Sequence, residues 1–239
     1  MFYFIHTTVR IRKKHYRKNI KTDSASIQSS PDVKAAHARL RSMAKMPSET
    51  VQTSNGKSLK CSKIFIDIGA NVGLVSRQLF FENKNIENYI CVEPAKMTFD
   101  CLAKNISSLK KVSLHNIGLG RKNETKNIFI DKSNHGNASL EKTMMTLSKY
   151  KNYKVEKITV MSVNSFFNLI KKDIKGKKLI IKIDTQSLDE LIISLIPNEI
   201  IKNTVLLNYE LTSVKGVKKQ KISVKDFKSN ISKFKKIWS

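Results

Sequence analysis

From Lys63 onward the chain alternates short apolar runs rich in Ile and Val with stretches whose apolar positions recur every three or four residues. Continuous apolar runs mark buried strands and a 3.6-residue period marks helices, so this alternation predicts an α/β domain with a mostly parallel sheet and helices on both faces. Strands are predicted over 64–68, 89–92, 112–115, 126–130, 179–183 and 204–210. Helices are predicted over 73–81, 96–106, 163–171 and 188–196, and a basic stretch over 224–236 predicts a last one. Upstream, Arg10, Arg12, Lys13, Lys14, Arg17 and Lys18 sit among polar residues with no apolar stripe, which predicts a flexible or loosely helical segment to about residue 30. Ser30-Pro31 then reads as a helix entry, with Val33, Ala36, Leu40 and Met43 on one face. The chain therefore divides into a basic N-terminal segment with one amphipathic helix, 1–46, and a single domain, 47–239.

A length of 239 residues suits one full α/β domain and leaves little room for two. Cys61, Cys91 and Cys101 have neither C-x-x-C spacing nor the density of a disulfide scaffold, which points to a reducing compartment. No run approaches the roughly 20 apolar residues that span a bilayer, so the expectation is a soluble, cytoplasmic chain with no transmembrane segment. The net charge of +26 invites a nucleic-acid or anionic-membrane partner. The excess is mostly lysine spread along the whole chain beside abundant Asn and Ile, however, a pattern that compositional bias at tolerant surface positions also produces. Nucleic acid stays an alternative partner and is not the favoured one.

The most informative segment is Ile64-Phe-Ile-Asp-Ile-Gly-Ala-Asn-Val-Gly73, an apolar strand running into a glycine-containing turn and then a helix. Gly69 allows a sharp bend, Gly73 allows the helix to start close to the sheet, and the N–H groups there can receive a carboxylate or phosphate. A dinucleotide fingerprint, G-x-G-x-x-G, requires a second glycine where Asn71 stands. A side chain at that point disfavours a pyrophosphate and fits a smaller ligand such as S-adenosylmethionine. Asp67, at the strand's end, is positioned to accept from loop N–H groups or to receive the cofactor's amino group. The next predicted strand ends in Val92-Glu93-Pro94, and an acid at that edge suits a ribose diol. The third ends in His115-Asn116, where the loop 114–120 would border an adenine.

These segments, together with Leu114-His-Asn-Ile-Gly-Leu-Gly120 and Ile181-Lys-Ile-Asp-Thr-Gln186, resemble the FkbM-type methyltransferases in four motifs that keep the family's order. The likeness covers about 63–210. It implies a Rossmann-like class I fold and S-adenosyl-L-methionine as cofactor, with methyl transfer to a hydroxyl of a sugar, glycan or secondary metabolite. It also implies that Asp67, Gly69, Asn71 and Gly73 form the methionine-side loop, that Glu93 holds the ribose and that Asn116 lies near the adenine. Lys182 and Asp184 resemble the family's central acidic site, which makes Asp184 the candidate base or orienting group for a hydroxyl proton. The competing reading is that Lys182 and Asp184 pair with neighbours only.

The sequence departs from the family where Ser187 follows Gln186 in place of glycine and where Asp189 replaces a common Glu. The chain stops at Ser239 soon after the basic helix, which predicts a sheet lacking the last strand pair of a full class I fold. The segment 134–139, with His135, resembles a small-residue loop over the active site. No His, Cys and carboxylate set has metal-ligand spacing, so no metal is expected. Three alternatives stand beside methyl transfer to a small acceptor. A nucleic-acid methyltransferase lacks an Asn-Pro-Pro-Tyr-like segment. A cofactor-binding but inactive module is motivated by Ser187 and the C-terminus. A dehydrogenase is the least favoured, because Asn71 breaks the glycine pattern and Tyr150 and Lys154, which have Tyr-x-x-x-Lys spacing, lie in a polar stretch without the fold context of that catalytic pair.

Overall fold

The computed structural model describes residues 50–52, 58–60, 62–109, 111–132, 138–140, 152–186, 188–209, 224–234 and 237–238. The N-terminal segment and its helix, residues 134–137, Tyr150, Ser187 and Glu210 lie outside them. Two short strands, β1 (Thr50–Gln52) and β2 (Ser58–Lys60), pair antiparallel. The domain's centre is β3 (Lys63–Ile68), every residue of which is buried. A strand covered on both faces must be apolar at successive positions, as the Ile-Phe-Ile run is. Its alternating side chains feed two cores. Phe65 packs with α1 (Leu74–Glu82) and α2 (Lys96–Ile106), whereas Ile64, Ile66 and Ile68 face the opposite layer.

β3 is followed through α1 by β4 (Ile86–Val92), and through α2 by β5 (Val112–His115). An insertion then supplies β6 (Gly118–Gly120), β7 (Glu124–Asp131), β8 (Ala138–Ser139) and β9 (Tyr153–Ser162). The chain returns through α3 (Val163–Leu169) and α4 (Lys171–Ile174) to β10 (Lys178–Ile183). α5 (Asp189–Leu195), α6 (Asn198–Asn203), β11 (Thr204–Tyr209), α7 (Val224–Ile231) and β12 (Ile237–Trp238) complete the order. The main sheet runs β12-β11-β10-β3-β4-β5 with every neighbouring pair parallel. Numbered along the chain this is 3-2-1-4-5-6, the doubly wound order. Buried residues of α3, α5, α6 and α7, among them Phe166, Ile192, Ile201 and Phe227, close the face opposite α1 and α2. Among the described residues no helix is long and apolar enough to cross a membrane.

The mostly parallel α/β sheet with helices on both faces agrees with the sequence reading, and several elements correct its detail. Gly118–Gly120, read as part of a loop, are the buried strand β6, the elements β1, β2, β8 and α6 were not anticipated, and the last helix, read over 224–236, ends at Ile231. The strand read at 126–130 is longer, and it belongs to a second, four-stranded sheet of order β6-β9-β7-β8. That sheet's main partner, β9, was not anticipated. It alternates exposed Val155, Lys157 and Thr159 with buried Ile158 and Val160, the signature of a strand covered on one side. The helix read over 163–171 divides at Ile170, whose φ of −88° and ψ of 4° leave the α region. β12 adds a two-residue strand, parallel to β11, at an edge where no strand was expected.

Among the described residues the buried Tyr89 hydroxyl finds no hydrogen-bond partner, while its ring packs edge-on against Phe65 with centroids 6.0 Å apart. An unsatisfied buried hydroxyl costs about 1 kcal/mol or more. Tyr89→Phe is therefore expected to raise the thermal midpoint by about 2–4 °C. A lower midpoint in thermal denaturation would mean that the hydroxyl is satisfied after all.

Candidate active site

β3 and β10 lie side by side, but the chain winds away from them in opposite directions, so their carboxyl ends form the switch point at which doubly wound sheets carry a ligand crevice. All eight residues singled out from the sequence lie on or beside the carboxyl edge of β3, β4, β5 and β10. Gly69 and Gly73 have φ of 76° and 81°, which glycine adopts without strain. A Cβ on Gly69 would overlap the Asp184 carbonyl oxygen, so the turn after β3 rests directly on the turn after β10. Gly73 precedes α1 as its N-cap, and a Cβ there would come 2.5 Å from Leu102 Cδ1 on α2. Asn71 is also left-handed, at φ 52°, a conformation that asparagine tolerates better than most residues.

Glu93 ties the second strand to this turn. Its Oε2 accepts from the Asn71 N–H and its Oε1 from the Ala95 N–H, each at 3.0 Å, while its own N–H donates to the His115 carbonyl at 3.1 Å. Burial pushes its carboxyl up to about 7, against the lowering effect of those two N–H donors. The Asn116 side-chain amide donates to the carbonyls of Glu93 and Pro94 at 2.9 and 3.0 Å, so it fixes the turn that carries Glu93. The His115 ring stands edge-on to Phe166 with centroids 5.7 Å apart, and burial holds its pKa below the usual value.

Asp67 and Lys182 occupy directly paired positions of β3 and β10, and their side chains therefore leave the same face. The Lys182 ammonium donates to Asp67 Oδ1 at 2.9 Å and to the Gly69 carbonyl at 3.2 Å. Ser76, on the buried side of α1, donates to Asp67 Oδ2 at 2.7 Å and lies 3.2 Å from Cys91 Sγ. Asp67 thus has a serine hydroxyl and an ammonium as partners, with none of its surface exposed. Its recorded partners are side chains, not the loop N–H groups that the sequence suggested. Asp184 lies one step beyond, its Oδ2 3.8 Å from the ammonium and its Oδ1 accepting from Gln186 Nε2 at 3.2 Å. Burial raises the Asp184 pKa and Lys182 opposes that rise.

The surrounding loops are tied down by residues the sequence reading did not assign. Asp189 Oδ1 accepts from the Thr185 N–H and hydroxyl at 2.8 and 2.6 Å. Ser139 of β8 donates to the Gln186 carbonyl at 3.0 Å, and Glu156 of β9 accepts from the Lys96 N–H at 2.8 Å. The second sheet is thereby anchored to both sides of the carboxyl edge. Ser76 carried one legible signal, a hydroxyl three residues after Gly73 on the apolar side of a helix. Compared with protein-family models, with curated proteins and with solved structures, the chain matches none.

Two outcomes follow from this packing. Gly69→Ala combines an unfavourable φ with overlap against the Asp184 carbonyl, and a loss of at least about 2 kcal/mol is expected in denaturant unfolding. An unchanged midpoint would mean that the two turns do not touch. Between about 4.5 and 7, folded Glu93 keeps a proton that the unfolded chain has lost. Its contribution is full below the lower value and disappears as pH rises through the upper one, a change of up to about 3 kcal/mol. Glu93→Gln should flatten the stability profile over that window, and an identical slope in both proteins would refute the assignment.

Proposed function

We propose that the crevice binds S-adenosyl-L-methionine and that the protein transfers its methyl group to a hydroxyl of a sugar, glycan or secondary metabolite. The observation that carries this reading is the joining of Glu93, at the end of β4, to the Asn71 N–H of the glycine turn after β3. A carboxylate at that edge suits a ribose diol, and the two N–H donors on Glu93 leave further lone pairs on its oxygens. The charge of the site supports the same ligand. Asp67, Asp184 and Lys182 together leave one net negative charge beside the Gly69 turn. That balance suits a cationic sulfonium and disfavours a pyrophosphate. The ordered motifs that resemble the FkbM-type family support it as well.

In this reading Gly69 and Asn71 shape the methionine-side loop, Gly73 sets the start of α1, Glu93 holds the ribose and Asn116 fixes the turn beside the adenine. When bound, the cofactor supplies an electrophilic methyl group on a positively charged sulfur. With the cofactor held by these turns, the Asp184 carboxylate would accept the proton of an acceptor hydroxyl as that oxygen takes up the methyl group. Burial of Asp184 makes it a stronger base than an exposed carboxylate.

Calorimetric titration of S-adenosylmethionine into the full chain tests the proposal. Saturable binding is expected, with affinity at least roughly tenfold weaker in Glu93→Ala, the effect of losing one charged hydrogen-bonding group. No heat of binding to the folded wild-type chain would overturn it.

A further inference from the structure

A lysine ammonium has three donors and accepts nothing. On Lys182 one donor reaches Asp67 Oδ1 at 2.9 Å and another the Gly69 carbonyl at 3.2 Å, and Asp184 Oδ2 stands 3.8 Å away. Asp67 is itself gripped from behind by the Ser76 hydroxyl at 2.7 Å. The result is a ladder that begins on α1, crosses β3 and β10 and ends at the crevice. Side-chain exposure grows along it, from 0% at Asp67 to 8% at Lys182 and 13% at Asp184. A carboxylate with no exposed surface cannot touch a ligand. Its influence on one must pass through its neighbours.

We propose that Asp67 is a positioning residue: with Ser76 it fixes the Lys182 ammonium, and the ammonium holds Asp184 in one orientation at the mouth of the crevice. Asp67 then contacts no cofactor and acts two steps away. The ammonium is shared between two carboxylates, so the charge on Asp67 sets how much of its attraction Asp184 receives. Asp189 adds a weaker pull on Lys182, while its nearer partner is Thr185. Gln186 holds the other oxygen of Asp184. The proton-accepting task of Asp184 rests on the methyl-transfer reading, and the ladder does not.

Carboxyl-detected NMR of the full chain labelled in its aspartate side chains follows Asp184 directly, with its signal assigned by disappearance in Asp184→Asn. In Asp67→Asn the ammonium has Asp184 as its nearest carboxylate, and the Asp184 midpoint is expected to fall. In the double variant Asp67→Asn/Lys182→Met, which removes the buried pair without stranding either charge, the midpoint is expected to rise by roughly one unit or more. A midpoint unmoved in either folded variant overturns the ladder and leaves Lys182 as a partner of Asp67 alone. Calorimetry with S-adenosylmethionine separates the two ideas, because absent binding removes the methyl-transfer reading and leaves the titration result standing.

Discussion

An ammonium and a carboxylate taken out of water inside a parallel sheet persist only when each finds its partners, because desolvation otherwise exceeds their attraction. Lys182 and Asp67 meet that condition through the register of β10 on β3, with Ser76 and the Gly69 carbonyl completing the set. Much of the carboxyl edge depends on this arrangement. The ammonium bonds the turn after β3 and lies beside Asp184 in the turn after β10. Gly69 can rest on the Asp184 carbonyl because it has no side chain. Removing one partner would strand a buried charge, a loss of about 3–5 kcal/mol.

The remaining contacts extend this anchor sideways. Glu93 fastens the end of β4 to the same turn, and Asn116 fastens the loop after β5 to the residues around Glu93. Among the described residues, hydrogen bonds from Ser139 to Gln186 and from Lys96 to Glu156 join the second sheet to the two sides of the crevice, beside the apolar packing of Leu119 and Ala95. The four-stranded insertion thus joins the carboxyl edge at both the loop that follows Asp184 and the start of α2. The crevice is built mostly from backbone turns and buried polar side chains, which suits holding a small ligand in a fixed pose.

Elements buried on both faces were the easiest to read from sequence. The Ile-rich runs of β3 and β10 have no polar alternation to obscure them. α2 is bounded by Pro94 and carries Thr98, Leu102 and Ile106 on one buried stripe, and both of its limits were legible. β9 was missed because its apolar residues alternate with Glu, Lys and Thr, so that its composition resembles a loop until period two is tested. At the site, Gly69, Glu93 and Asp184 announced themselves by standing at strand ends before turns. The pairing of Asp67 with Lys182 did not, since those residues are 115 positions apart and meet only through strand register. Sequence gave the identity of both groups and left open whether Asp67 faced a ligand or the protein interior.

The central claim is that these turns form one cofactor crevice, and amide hydrogen exchange of the full chain with and without S-adenosylmethionine tests it most directly. Bound ligand should slow exchange together in peptides covering 69–73, 93–97, 115–117 and 184–186, with the outer face of β7 and β9 unchanged. Identical exchange in a folded chain at saturating ligand, or protection confined to the second sheet, would contradict the account.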